Sequence, residues 1–176
     1  MRLFAAIRFG EVTRRALTSL QTELRKSAVR GRFTAPENLH LTLVFLGECN
    51  EVQTEAAKGV VGETIAGPFP LEIDGPGRFS RDGGDVRWAR VRECAPLLDL
   101  QRDLTERFRS AGFVLERRRY TPHITLARQV VTRVEAKAVP PFGEVVTEIH
   151  LMKSERIDGR LVYTSIYERE LKHGTA

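Results

Sequence analysis

LHLTLVFLG at 39–47 and PHITLAR at 122–128 carry the same tetrapeptide pattern, His-x-Thr-x with apolar residues at x, each within a short apolar run. In a β-strand, residues i and i+2 point to one face and i+1 and i+3 to the other. His40 and Thr42 therefore share a polar face while Leu41 and Leu43 enter the core, and His123 and Thr125 are divided from Ile124 and Leu126 in the same way. A single His-x-Thr is uninformative. Two, with apolar residues at every x and at equivalent places in two halves of a chain, arise by chance in about one chain in a thousand or fewer.

The surrounding residues place both motifs in a repeated strand, helix, strand order. RLFAAIRF at 2–9 is strand-like, and Val12, Ala16, Leu17, Leu20 and Leu24 recur at helical spacing before Gly31, a loop with Pro36 and Asn38, and the first motif strand. Downstream, VRWARVRE at 86–93 is strand-like, Leu97, Leu100, Leu104 and Phe108 mark a helix ended near Gly112, and the second motif strand follows. A shift of 84 residues sets Phe4 on Trp88, Ala5 on Ala89, Ile7 on Val91 and Arg8 on Arg92, and the two histidines are 83 residues apart. Between the halves, Val52–Val61 reads as a helix, 71–79 as a strand closing on a Gly-Pro-Gly turn, and 81–85 as a hairpin or linker. After the second motif, a short helix near 132–138 leads to strands at 144–154 and 161–170 joined by Asp158–Gly159. The expected fold class is α+β: two similar lobes related by a pseudo-twofold, each an antiparallel sheet with helices on its outer face, and an active groove between them. Residues 1–176 are expected to form one domain, its lobes built around the repeats at about 2–47 and 86–128.

Composition narrows the functional classes. Hydrophobic content of 41% with 29% charged residues suits a globular domain, and no apolar run approaches the ~20 residues of a membrane helix. The apolar start of the chain is broken by Arg8 and Glu11 before a signal-peptide core forms, and Cys49 and Cys94 match no disulfide framework or Cys-x-x-Cys motif. A cytoplasmic, monomeric protein without a membrane partner is expected. A net charge of +5 and a pI near 9.6 favour polyanionic partners, with Arg14–Arg15, Arg25–Lys26 and Arg117–Arg118–Arg119 as basic clusters that are either a nucleic-acid path or solvated faces.

A lone strand histidine is usually a satisfied packing residue, but a duplicated one suggests paired chemistry. If the polar faces of the lobes confront each other, two imidazoles flank whatever lies between, one taking a proton from an attacking water and the other giving one to a departing oxygen. Threonine hydroxyls beside them donate to non-bridging phosphate oxygens. No metal or cofactor is required.

These residues resemble the 2H phosphoesterases, and most closely the RNA 2′,3′-cyclic phosphodiesterase or 2′-5′ RNA ligase branch. The resemblance runs from RLFAAI through ENLHLTLVFLG at 37–47 and RYTPHITLAR at 119–128 to LMKSERIDGRLVYTSIYERE at 151–170. It implies a bilobal α+β fold, hydrolysis of an RNA 2′,3′-cyclic phosphate to a 2′-phosphomonoester, and in some members reversible 2′-5′ joining of RNA ends. His40 and His123 carry over as catalytic, and Thr42 and Thr125 as phosphate-binding. The implied cleavage of the bond to the 3′ oxygen assigns one histidine as acid and one as base, set here as His40 and His123 respectively. Arg128 resembles the family's basic position, yet strict alternation puts it on the face opposite His123, so it reaches phosphate only if the strand bulges or ends. Tyr120 is a candidate for stacking on a terminal base, with simple packing as its alternative. Ser154 and Tyr163 receive no role, and His150 is expected on a strand face. The rival readings are a non-catalytic RNA-binding module, which leaves the two His-Thr pairs unexplained, a metallohydrolase, which lacks further clustered ligands, and a related enzyme acting on a small nucleotide or 2′-5′ oligonucleotide.

Overall fold

Two antiparallel sheets meet along their motif strands. The computed structural model describes residues 1–135 and 137–174. The elements run β1 (Arg2–Arg8), α1 (Glu11–Ser27), β2 (Ala28–Phe33), a 3₁₀ turn at Pro36–Asn38, β3 (His40–Glu48), α2 (Glu51–Gly62), β4 (Phe69–Phe79), β5 (Asp85–Val91), α3 (Ala95–Ser110), β6 (His123–Thr132), β7 (Phe142–Val146), β8 (Glu148–Ile157) and β9 (Arg160–Glu170). One sheet has the order β3-β1-β8-β9 and the other β2-β6-β5-β4-β7. Laid over one another they match motif strand to motif strand, β3 to β6 and β1 to β5, with β2 as the unmatched extra.

The α+β class with two antiparallel sheets is the one expected, and the helices add a crossing. α1 follows β1 in the chain yet lies against β6, β2 and β7 of the other sheet, while α3, which follows β5, lies against β3 and β4. Leu97, Leu100, Leu104 and Phe108 of α3 are all buried, as their spacing requires. One apolar core joins β1, β3 and β8 to β4, β5 and β6 through Leu3, Leu41, Ile73, Val91, Ile124 and Leu151. No described helix is long and apolar enough to cross a membrane.

Five local expectations are corrected. The buried line of α1 is Thr13, Leu17, Gln21 and Leu24, and Val12 is 82% exposed, because two polar residues sit in the stripe where apolar ones were sought. Residues 28–33, where no strand was expected, form edge strand β2 on β6; none of its side chains is fully buried, which leaves no alternation to detect. Gly75–Pro76–Gly77 is no turn: β4 runs through it with a register shift between Ile73 and Gly75. There is no helix among the described residues of 132–138, since Thr132 ends β6, residues 133–135, 137 and 138 have no regular structure, and Ala136 lies outside the described residues. So short a helix before Pro140–Pro141 has too few hydrogen bonds to offset nucleation. The strand drawn at 144–154 is two, broken at Thr147, with β7 in one sheet and β8 in the other. Asp158 and Gly159 do make the expected hairpin, both at positive φ (49° and 77°) as a two-residue primed turn requires.

Candidate active site

Each histidine is set by its own backbone. His40 lies opposite Arg8 at the start of β3, and its Nδ1–H donates to the Asn38 carbonyl at 2.7 Å. His123 lies opposite Arg90 at the start of β6, and its Nδ1–H donates to the Thr121 carbonyl at 2.7 Å. A carbonyl can only accept, so both tautomers are fixed with the proton on Nδ1, and both Nε2 atoms are left for chemistry. His40 Nε2 accepts from the Thr42 hydroxyl at 2.9 Å. Among the described residues, His123 Nε2 and the Thr125 hydroxyl have no hydrogen-bond partner, which leaves the second pair unengaged.

Two aromatic rings brace each imidazole. Phe4 and Tyr163 stand 4.9 Å and 5.1 Å from His40 between centroids, Tyr163 edge-on at 85°. Phe79 and Trp88 stand 5.1 Å and 5.6 Å from His123, Phe79 edge-on at 89°. Phe4 and Trp88 are the residues that the 84-residue shift superimposed, so the repeat carried a site signal that motif reading alone passed over. Tyr163, given no role from sequence, and Phe79 arrive from β9 and β4, far along the chain, and no local pattern marks them. The indole of Trp88 also explains Gly77, where a Cβ would come within 2.2 Å of the ring.

Alternation breaks immediately after each motif. Trp88 pairs with Thr125 but Arg87 pairs with Ala127, so Leu126 is an extra residue, a β-bulge, and Leu126 and Ala127 are both buried. This is the bulge that Arg128 needs to return to the His123 face. Its charge acts on His123, His40 and Tyr163 alike, which puts it near both histidines. The first motif is bulged identically: Ala6 pairs with Thr42 and Ala5 with Val44, which leaves Leu43 extra. The residue equivalent to Arg128 is then Phe45, 53% exposed and 5.9 Å from Phe4, which the sequence reading did not single out. Its signal was there, as HxTxxF against HxTxxR.

Tyr120 has a structural use. Its hydroxyl donates to the Thr42 carbonyl at 2.9 Å, tying the segment before β6 to the first motif strand, and burial raises its pKa. His150 is a buried strand residue outside this pair, with Nδ1 2.9 Å from Ser165 Oγ and Nε2 3.1 Å from Glu148.

Burial sets the protonation of the pair. It pushes His40 down to about 4, with the charges of His123 and Arg128 adding to the depression against the Asn38 hydrogen bond. His123 is also lowered, by burial first and then by Arg128 and Arg118, against its bond to Thr121. Both shifts favour the neutral imidazole near pH 7 in the free protein. Of the basic clusters, the one at 117–119 supplies a charge that reaches the site.

The 2′-5′ RNA ligase superfamily model matches residues 12–158. The RNA 2′,3′-cyclic phosphodiesterase of Methanothermobacter thermautotrophicus is 32% identical, covering 94% of this chain and 96% of its own. The Escherichia coli protein of the same name is 34% identical, covering 77% of each. The structure of Escherichia coli LigT complexed with 3′-AMP superposes with a TM-score of 0.84 at 29% identity, covering 97% of both chains. The likeness spans both motif strands and both sheets, and the chain belongs to the 2′-5′ RNA ligase superfamily, within the 2H phosphoesterases.

Proposed function

We propose that this chain hydrolyses RNA 2′,3′-cyclic phosphate ends to 2′-phosphomonoesters with His40 and His123 as the acid–base pair. The observation that carries it is the pair of imidazoles on two sheets, each locked by a backbone carbonyl so that Nε2 is the working nitrogen, with the Arg128 charge felt by both. Water attacks phosphorus as one Nε2 takes its proton, the bond from phosphorus to the 3′ oxygen breaks, and the other Nε2–H protonates that oxygen as it leaves. Thr42, Thr125 and Arg128 donate to the non-bridging oxygens, where negative charge grows. With the 5′-hydroxyl of a second RNA in place of water, the same forward step forms a 2′-5′ linkage as the bond to the 3′ oxygen breaks, and its reverse cleaves that linkage.

The electrostatics favour a division of labour opposite to the one set from resemblance. When the pair holds a single proton, it resides on the ring with the higher affinity, and His40, the deeper of the two, is the one driven to about 4. His123 then carries the proton as acid, and His40 is the base once the Thr42 hydroxyl turns from its Nε2 to the phosphate. The anionic phosphate raises both affinities on binding and supports the protonated form of His123.

A monomer in a reducing compartment suits this reading, with both cysteines free. A second reading, a small nucleotide as substrate, is favoured by the Escherichia coli relative's structures with 3′-AMP, ATP and NADP+. The test is to incubate RNA ending in a 2′,3′-cyclic phosphate, and a cyclic mononucleotide in parallel, with excess EDTA, and to identify the end group. The expected product is a 2′-phosphate from RNA. A 3′-phosphate would overturn the bond assigned, turnover of the mononucleotide alone would favour the second reading, and no turnover of either would overturn the function.

A further inference from the structure

Gln21 is an amide in the apolar stripe of α1, 4% exposed. Burying a carboxamide is costly unless its donors are used. Here Nε2 donates to the Leu126 carbonyl at 2.9 Å and to the Thr34 carbonyl at 2.7 Å. Leu126 is the extra residue of the β6 bulge, and Thr34 closes the other side, its N–H donating to Leu126 at 2.9 Å and its hydroxyl to the Thr125 carbonyl at 2.9 Å. The second half mirrors this. Gln101 on α3 donates to the carbonyl of Leu43, the extra residue of the β3 bulge, at 3.4 Å, and to Thr105 Oγ1 at 3.0 Å. Because the helices cross, each glutamine comes from the half of the chain that does not own the strand it holds.

We propose that Gln21 is a positioning residue that keeps Arg128 on the His123–Thr125 face by pinning the bulge at Leu126, and that Gln101 does the same for Phe45 through Leu43. Each half of the duplicated chain thereby sets the specificity residue of the other. Without the bulge, strict alternation returns Arg128 to the opposite face, and its charge leaves the groove. The kinetic consequence rests on the phosphodiesterase reading; the electrostatic one does not.

The experiment is a double-mutant cycle with two readouts. The first follows the NMR titration of His123 in wild type, Gln21→Leu, Arg128→Ala and the double variant. Since Arg128 helps hold His123 down, Gln21→Leu is expected to raise the His123 midpoint as far as Arg128→Ala does, and the double variant no further. The second follows kcat and KM on cyclic-phosphate RNA. Each single substitution is expected to cost about tenfold, mainly in KM, as loss of one charge-assisted phosphate contact does, and the double variant is expected to match Arg128→Ala. Gln101→Leu combined with Arg128→Ala is expected to multiply instead, because Gln101 acts through Phe45. An unmoved His123 midpoint in folded Gln21→Leu, or losses for Gln21→Leu and Arg128→Ala that multiply, would overturn the proposal. Gln21→Met keeps the length of the side chain without its donors and serves in the same cycle if Gln21→Leu folds poorly. A wild type inactive on cyclic-phosphate RNA would sink the functional reading and leave the titration to decide the positioning role.

Discussion

β3 and β6 are built alike up to the threonine and part company three residues beyond it. Each begins with a histidine anchored on the carbonyl two residues back, carries a threonine on the same face, and bulges at the next residue. After the bulge, β3 presents an exposed phenyl ring at Phe45 and β6 a guanidinium at Arg128. The histidines differ too: His40 is deeper and engaged with Thr42, while His123 has no such bond among the described residues. The two halves share the part of the scaffold that aims the imidazoles and differ at Phe45 and Arg128, the positions that the proposed function sets beside the substrate. On that reading an anionic phosphate suits the β6 side and a nucleobase the β3 side.

Breaking either strand's histidine is expected to have the largest effect. His40→Ala and His123→Ala should each lower cyclic-phosphate hydrolysis by at least about a hundredfold in folded protein, the usual contribution of one acid–base group. Near-full activity in either would mean that one strand carries the chemistry alone.

The next contrast is in acid. A histidine whose folded pKa lies below its unfolded value contributes stability that is fully present above the unfolded value and is lost as pH falls towards the folded one. For His40 that window runs from 6.5 down to about 4, over which the folded state loses on the order of 3 kcal/mol. Urea denaturation at stepped pH should show this loss shrinking in His40→Ala more than in His123→Ala. The same lowered pair moves the bell of kcat/KM to the acid side of 6.5, where an optimum at or above 7 would contradict the assigned environment.

Arg128→Ala and Phe45→Ala sharpen the comparison further. The first should raise KM by about tenfold for any cyclic-phosphate end, because it removes a charge-assisted phosphate contact. The second should have the smaller effect of about severalfold, varying with the terminal base, since stacking depends on the ring stacked. Equal, base-independent losses would mean that the two positions are not differentiated.

Much of this site was legible because period-two alternation and duplication act over a few residues. The two motifs, the α3 stripe of Leu97, Leu100, Leu104 and Phe108, and the need for a bulge before Arg128 could reach phosphate all follow from local spacing. What escaped depends on partners far away in the chain. Phe79 and Tyr163 brace the histidines from other strands, and Gln21 interrupts an apolar stripe because its amide serves a carbonyl more than a hundred residues on. β2 was hidden for a third reason, since an edge strand whose side chains are mostly exposed has no buried face to pattern.

The measurement closest to the centre of this account is leaving-group rescue in the two histidine variants. A substrate whose 3′ oxygen is replaced by a much better leaving group no longer needs the acid but still needs the base. With His123 as acid and His40 as base, that substrate should restore much of the activity of His123→Ala and little of that of His40→Ala. Rescue of His40→Ala in its place would reverse the division of labour, and equal rescue of both, or of neither, would contradict a two-histidine mechanism.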